Sequence, residues 1–246
     1  IAHAAPSAPS SASLGPRNDD PSLGANCPRA WTRFAYSSYR DGNWEIYAAT
    51  GNDDEVRRIT WSFAGDLRPR IRPDGDWIAY DSDDGVDPGR EILLISYWGG
   101  IPQVLVDTYS PPGASPAYSD FSPAWSNDGQ QFAFVSTRDG NAEIYLFNLA
   151  SGAQTRVTYN AAPDYDPTFN LKTGELYWAR QVDDRNGIVI GLVNGREMAL
   201  SAPIPQLERP QFDRDGGRLA FTADINNDGW GDFQVPEWDN TPLAQY

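Results

Sequence analysis

Apolar residues in this chain fall in short runs, each cut off by Asp-Gly, Thr-Gly, Gly-Gly or Pro-containing stretches. Runs of that length bounded by turn residues predict strands, because a helix needs ten or more periodic positions. The stretch from Ser122 to Thr158, "SPAWSNDGQQFAFVSTRDGNAEIYLFNLASGAQTRVT", reads as four such strands separated by turns.

The pattern recurs. Its second strand, "QFAFVS", is matched by "RFAYSS", "WIAYDS", "ELYWAR" and "RLAFTA", centred on Ala35, Ala79, Ala133, Tyr177 and Ala220 at spacings of 44, 54, 44 and 43 residues. The one long spacing contains "DTYSPPGASPAYSD", which reads as a surface loop. The strand upstream recurs with a proline expected at its start (Pro69, Pro123, Pro167, Pro210), where a missing N–H costs little. A turn ending in glycine follows at Gly75, Gly129, Gly174 and Gly216. Third strands follow a second turn. Fourth strands are legible as "EVRRIT", "PQVLVD" and "TRVT" and fade after Gly195.

One four-stranded sheet cannot bury both its faces alone, so such units must stack. Blades around an axis do this while leaving only short edges. A β-sandwich has no reason to repeat one four-strand pattern at a fixed period. The predicted fold is therefore all-β: a β-propeller of four-stranded antiparallel blades, five by repeat count and six if further sequence completes it. The first blade lacks its proline strand, and "NDDPSLG" or "TPLAQY" would be needed to close a ring. Residues 29–246 are expected to form this single domain. Residues 1–28, Ala/Ser/Pro-rich at first, are expected to be an arm that cannot offset its ordering entropy alone and that becomes ordered only against a neighbour.

Composition narrows the partners. The formal net charge is -15, which disfavours a nucleic-acid or anionic-membrane binder. A single cysteine, Cys27, excludes an internal disulfide and leaves a free thiol or an intermolecular bridge. No apolar run is long enough to span a bilayer, and no signal peptide is legible. The chain starts at Ile1 rather than Met, so processing or truncation is expected, and from it a periplasmic or extracellular place.

Trp125, Asp128-Gly129, Phe132-Ala133-Phe134, Ser136, Arg138-Asp139-Gly140, Glu143-Ile144-Tyr145 and Arg156-Val157-Thr158 together resemble the repeat of TolB-like β-propellers, related to WD-type blades. Arg40-Asp41-Gly42, Glu45-Ile46-Tyr47 and Arg58-Ile59-Thr60 repeat much of it, as do Pro73-Asp74-Gly75 with Ile78-Ala79-Tyr80. The likeness spans about Ala30 to Val235. It implies a fold rather than an activity, since such propellers serve as periplasmic binding modules, extracellular repeat proteins and accessory domains of peptidases.

The only histidine is His3, so no histidine-based acid–base pair or triad is available to the repeats, and Gly-x-Ser-x-Gly is absent. A glycosidase would need two carboxyl groups at a set separation. The candidates are Asp66, Asp120 and Asp166, whose recurrence points rather to a structural role. Arg40 and Arg138 are expected to pair with blade carboxylates, with Glu45, Glu91 and Glu143 as partners. The sharpest local signal is "DINNDGWGD", which offers Asp224, Asn226, Asp228, the Trp230 carbonyl and Asp232 to a structural calcium ion, with Gly229 permitting the turn. It resembles the calcium loops of dockerins and integrin-type repeats. An unmetallated acidic turn is the alternative. "DSDDGVD" and "QVDDRNG" are poorer loops.

Tyr97, Trp98, Tyr109 and Tyr118 fall in turns, where exposed aromatics serve as interface anchors or sugar platforms. The expected function is a noncatalytic extracytoplasmic module that binds protein or assembles, its arm docked on a neighbour. The alternative is a five-bladed carbohydrate-binding or hydrolytic protein using carboxylates at the axis.

Overall fold

The computed structural model describes residues 33–51, 56–83, 89–107, 118–213, 216–224 and 231–234. The arm (1–28) with His3 and Cys27, the tip of the long loop (108–117) and Asn226, Asp228 and Trp230 lie outside these residues.

All described regular structure is β, in five antiparallel sheets built from consecutive strands. The first sheet holds β1 (Arg33–Ser38), β2 (Glu45–Thr50) and β3 (Arg57–Arg58). The second holds β4 (Gly65–Ile71), β5 (Trp77–Asp83), β6 (Glu91–Ser96) and β7 (Gln103–Val106). The third holds β8 (Asp120–Trp125), β9 (Gln131–Ser136), β10 (Glu143–Asn148) and β11 (Gln154–Arg156). The fourth holds β12 (Asp164–Phe169), β13 (Leu176–Gln181), β14 (Asn186–Val193) and β15 (Arg196–Ala199), with β16 (Ile204–Pro205) also pairing with β14. The fifth holds β17 (Glu208–Phe212), β18 (Leu219–Ala223) and β19 (Asp232–Gln234). The fourth strand that fades in the sequence is thus present, split between β15 and β16. The apolar signal is missing because β15 is exposed along its length.

Each sheet shares a hydrophobic core with the next. Ile46 and Ala48 meet Ile78 and Tyr80; Leu94 and Val106 meet Trp125 and Phe132. Val135 and Ile144 meet Phe169 and Trp178; Tyr177 and Val189 meet Phe212 and Leu219. Burial on both faces explains why the middle strands read as continuous apolar runs rather than alternating ones. The outlier among the second strands is compensated across the ladder. Ala79 faces Leu94 and Ala133 faces Leu146, whereas Tyr177 faces Gly191. A Cβ at Gly191 would stand 2.6 Å from the Tyr177 ring, so the large and small residues have exchanged strands.

The repeated prolines are not at strand starts as expected. Pro69, Pro123, Pro167 and Pro210 lie inside β4, β8, β12 and β17, each at a shift of register against the neighbouring strand. A bulge removes one residue from the ladder, so the missing N–H is tolerated there. The residue before each proline is left-handed: Arg68, Ser122, Asp166 and Arg209 have φ of 50, 54, 48 and 52°. Four non-glycine residues held in this region at equivalent positions mark a strained device built into the repeat. The turn glycines do take the expected positive φ, at 80, 63, 75 and 65° for Gly75, Gly129, Gly174 and Gly216.

Candidate functional site

The bulged strands converge on one cavity of about 680 Å³, lined from β4, β8, β12, β17 and the start of β1. Three of the four left-handed residues, Ser122, Asp166 and Arg209, contribute to its wall, with Arg70, Thr168 and Gln211 two residues beyond a left-handed position on β4, β12 and β17. Asp166 ties the wall together by accepting from the Ser122 hydroxyl at 3.2 Å and the Arg209 N–H at 3.0 Å. Arg33 is held at the rim by Asp76 at 3.1 Å and lies over the Tyr97 and Trp98 rings. Half-buried Arg70 donates to the Pro69 carbonyl at 3.2 Å and forms no ion pair among the described residues. Burial pulls its guanidinium below the ordinary arginine value, against the nearby Asp166 and Asp81 charges, while Arg209 and Arg68 add repulsion.

Two residues before the left-handed positions lies a different set. Asp66, Asp120 and Asp164 are 1, 0 and 0% exposed. Asp120 receives the Arg138 guanidinium at 2.9 and 3.0 Å. Asp164 receives Arg180 through two nitrogens, at 2.7 and 2.9 Å, and Asn160 at 3.0 Å. Asp66 pairs with no arginine among the described residues and accepts instead from the Ser82 hydroxyl at 2.5 Å. Burial raises the Asp66 carboxyl to about 6, although Ser82, Thr60 and Ser62 oppose it; Glu45 adds to the rise. Burial likewise raises Asp120, opposed by Ser136 and Arg138.

This geometry corrects the sequence reading. The repeat equivalent of Asp66 and Asp120 is Asp164, not Asp166; the bulge puts Asp166 two residues on, in register with Ser122 and Arg209. A pair of catalytic carboxylates drawn from Asp66, Asp120 and Asp166 is not assembled, because the first two are sealed from the cavity. The arginine partners also differ. Arg138 pairs with Asp120, while Glu45 and Glu143 pair with Arg58 at 2.6 Å and Arg156 at 3.1 Å. Arg40 lies over Tyr47 and donates to the Tyr36 hydroxyl at 2.8 Å. In the Arg-Asp-Gly turns at 40–42 and 138–140 the aspartate accepts from a tyrosine of the strand that follows, Tyr47 to Asp41 and Tyr145 to Asp139. Those turns are structural knots.

Of the calcium candidates, Asp224 is buried beyond the end of β18 and its N–H donates to the Pro205 carbonyl at 3.0 Å. Asp232 opens β19 opposite Ala223. Asn226, Asp228 and Trp230 lie outside the described residues, among which no three His, Cys, Asp or Glu side chains gather as a metal requires. What the sequence missed is the cavity wall, which needs the bulge to be visible; the signal for it was the polar residue preceding each repeated proline.

No family model matches the chain. An uncharacterized protein of Agrobacterium fabrum is 33% identical over 125 residues, covering 46% of this chain and 39% of that protein. A TolB homolog of Chlorobium luteolum is 27% identical over 157 residues, covering 51% of this chain and 36% of that one. TolB of Acinetobacter baumannii superposes with a TM-score of 0.70 at 17% identity, over 85% of this chain and 50% of that one. The chain thus spans half or less of the lengths of these three proteins. It is a distant relative of the TolB homologs, in sequence over about half its length and in fold over most of it.

Proposed function

We propose that the chain is a noncatalytic binding module of the β-propeller type, its five sheets standing as blades, which works outside the cytoplasm and engages a protein partner at the shared cavity. One observation carries this reading. Four strands repeat the same bulge yet present different side chains to one cavity, while the carboxylates suited to acid–base chemistry are sealed behind them. A surface with constant backbone and variable side chains is built for recognition. The distant relationship to TolB homologs supports it, as does the resemblance of the repeat to periplasmic binding modules. No described helix is long and apolar enough to cross a membrane.

A photo-crosslinking residue at Gln211, in the cavity wall, tests the proposal against one at Arg196, on the exposed β15. A discrete protein adduct from position 211 alone supports it. Equal labelling from both, or turnover of an oligosaccharide by the purified chain, contradicts it. The proposal includes a structural calcium ion at Asp224, Asn226, Asp228, Trp230 and Asp232. A Tm lowered by EDTA and restored by calcium supports that ion, because a ligand bound to the folded state alone stabilises it; an unchanged Tm counts against it.

A further inference from the structure

The chain carries a net charge of -15, yet the cavity wall holds Arg33, Arg70 and Arg209 against Asp166. The three arginines are not equivalent. Arg33 is satisfied by Asp76. Arg209 is exposed and stands 3.7 Å from Glu208. Arg70 is half-buried, and one hydrogen bond to a carbonyl is what the structure gives its five N–H groups. Asp166, the acid in the same wall, has its oxygens engaged by Ser122 and by the Arg209 backbone. The contrast is with Arg138 and Arg180, which meet buried carboxylates within their own sheets.

We infer that the cavity is a carboxylate site, with Arg70 as its anchor and Thr168 and Gln211 as neutral neighbours. A guanidinium with free N–H groups in a sheltered cavity is matched by the planar, bidentate acceptor a carboxylate offers. A singly charged group suits the site better than a phosphate dianion, because Asp166 stands in the same wall and repels the second charge. The cavity volume, about 680 Å³, admits a whole amino-acid side chain or a small organic acid. The inference deepens the protein-binding reading when the carboxylate belongs to a partner's Asp or Glu, yet survives that reading's failure, since a free acid offers the same chemistry.

The test is calorimetric titration of the full chain with sodium butyrate and, separately, with acetyl-Ala-Ala-Glu-Ala-Ala-amide, ionic strength being held with NaCl. Saturable binding of at least one probe is expected, and the one that binds identifies the source as free acid or peptide side chain. Arg70→Met should weaken it about tenfold or more, the loss of a charge-assisted pair. Arg196→Met should leave it unchanged. Should Arg70→Met fail to fold, the Arg70 side-chain N–H resonance of the wild-type chain should move on titration. No saturable response to either probe overturns the inference. So does binding that survives Arg70→Met or leaves that resonance in place.

Discussion

Asp164 and Asp166 are the same residue type two positions apart on one strand, and they have opposite fates. Asp164 is buried under the Arg180 fork, in register with Asp66 and Asp120 of the neighbouring sheets. Asp166 is left-handed, half-buried and turned to the cavity, in register with Ser122 and Arg209. Where the repeat keeps its chemistry, the side chain serves the sheet. Where it keeps only its backbone, the side chain differs from one sheet to the next: Ser122, Asp166 and Arg209 face the cavity, while Arg68 turns back to the buried Asp81 of its own sheet at 2.8 and 3.0 Å. The bulge with its proline separates the two, and its strain is the cost of turning a residue out of the ladder.

The comparison breaks most visibly at the buried carboxylates. Asp120→Ala should cost about 3 kcal/mol in urea unfolding, because Arg138 is left without its buried acceptor. Asp66 gives the next effect, and it has a sign. Its folded value of about 6 lies above the ordinary 3.8, so between these values the folded chain binds more protons than the unfolded one. Stability should therefore fall as pH rises from about 4 to 6, by about 2–3 kcal/mol, and Asp66→Asn should flatten that slope. The smallest change tests the strain. Arg209→Gly removes a side chain from a φ of 52° and should raise stability by up to about 1 kcal/mol, since Gly bears this conformation freely. A loss there would mean that the Arg209 side chain holds the wall together.

The sheets were legible in the sequence because turn glycines and second-strand apolar runs are local signals. Gly75, Gly129, Gly174 and Gly216 fell where positive φ was expected. The Tyr177 outlier was readable as a strand centre, but its reason, Gly191 across the ladder, is a tertiary fact. The fourth strand of the fourth sheet was hidden because Arg196–Ala199 is solvated and carries no apolar pattern. The site was less legible. The sequence aligned Asp166 with Asp66 and Asp120 because "SDFSP" and "YDP" look alike around their prolines. Only the register across β12 and β13 shows that the first aspartate of "DYDP" is the buried one. Arginine partners were misassigned for a similar reason: Arg138 reaches back to Asp120 across the sheet, and Glu143 is met by Arg156 from the fourth strand.

Unfolding of Asp164→Asn and Asp166→Asn in urea, side by side, tests this division of labour most directly. Asp164→Asn should lose about 3 kcal/mol, because the Arg180 fork loses its buried charged acceptor and keeps only the half-exposed Glu197, and Asp166→Asn less than about 1 kcal/mol. Equal losses, or a larger one at Asp166, would show that the cavity wall is as much a part of the scaffold as the carboxylates behind it.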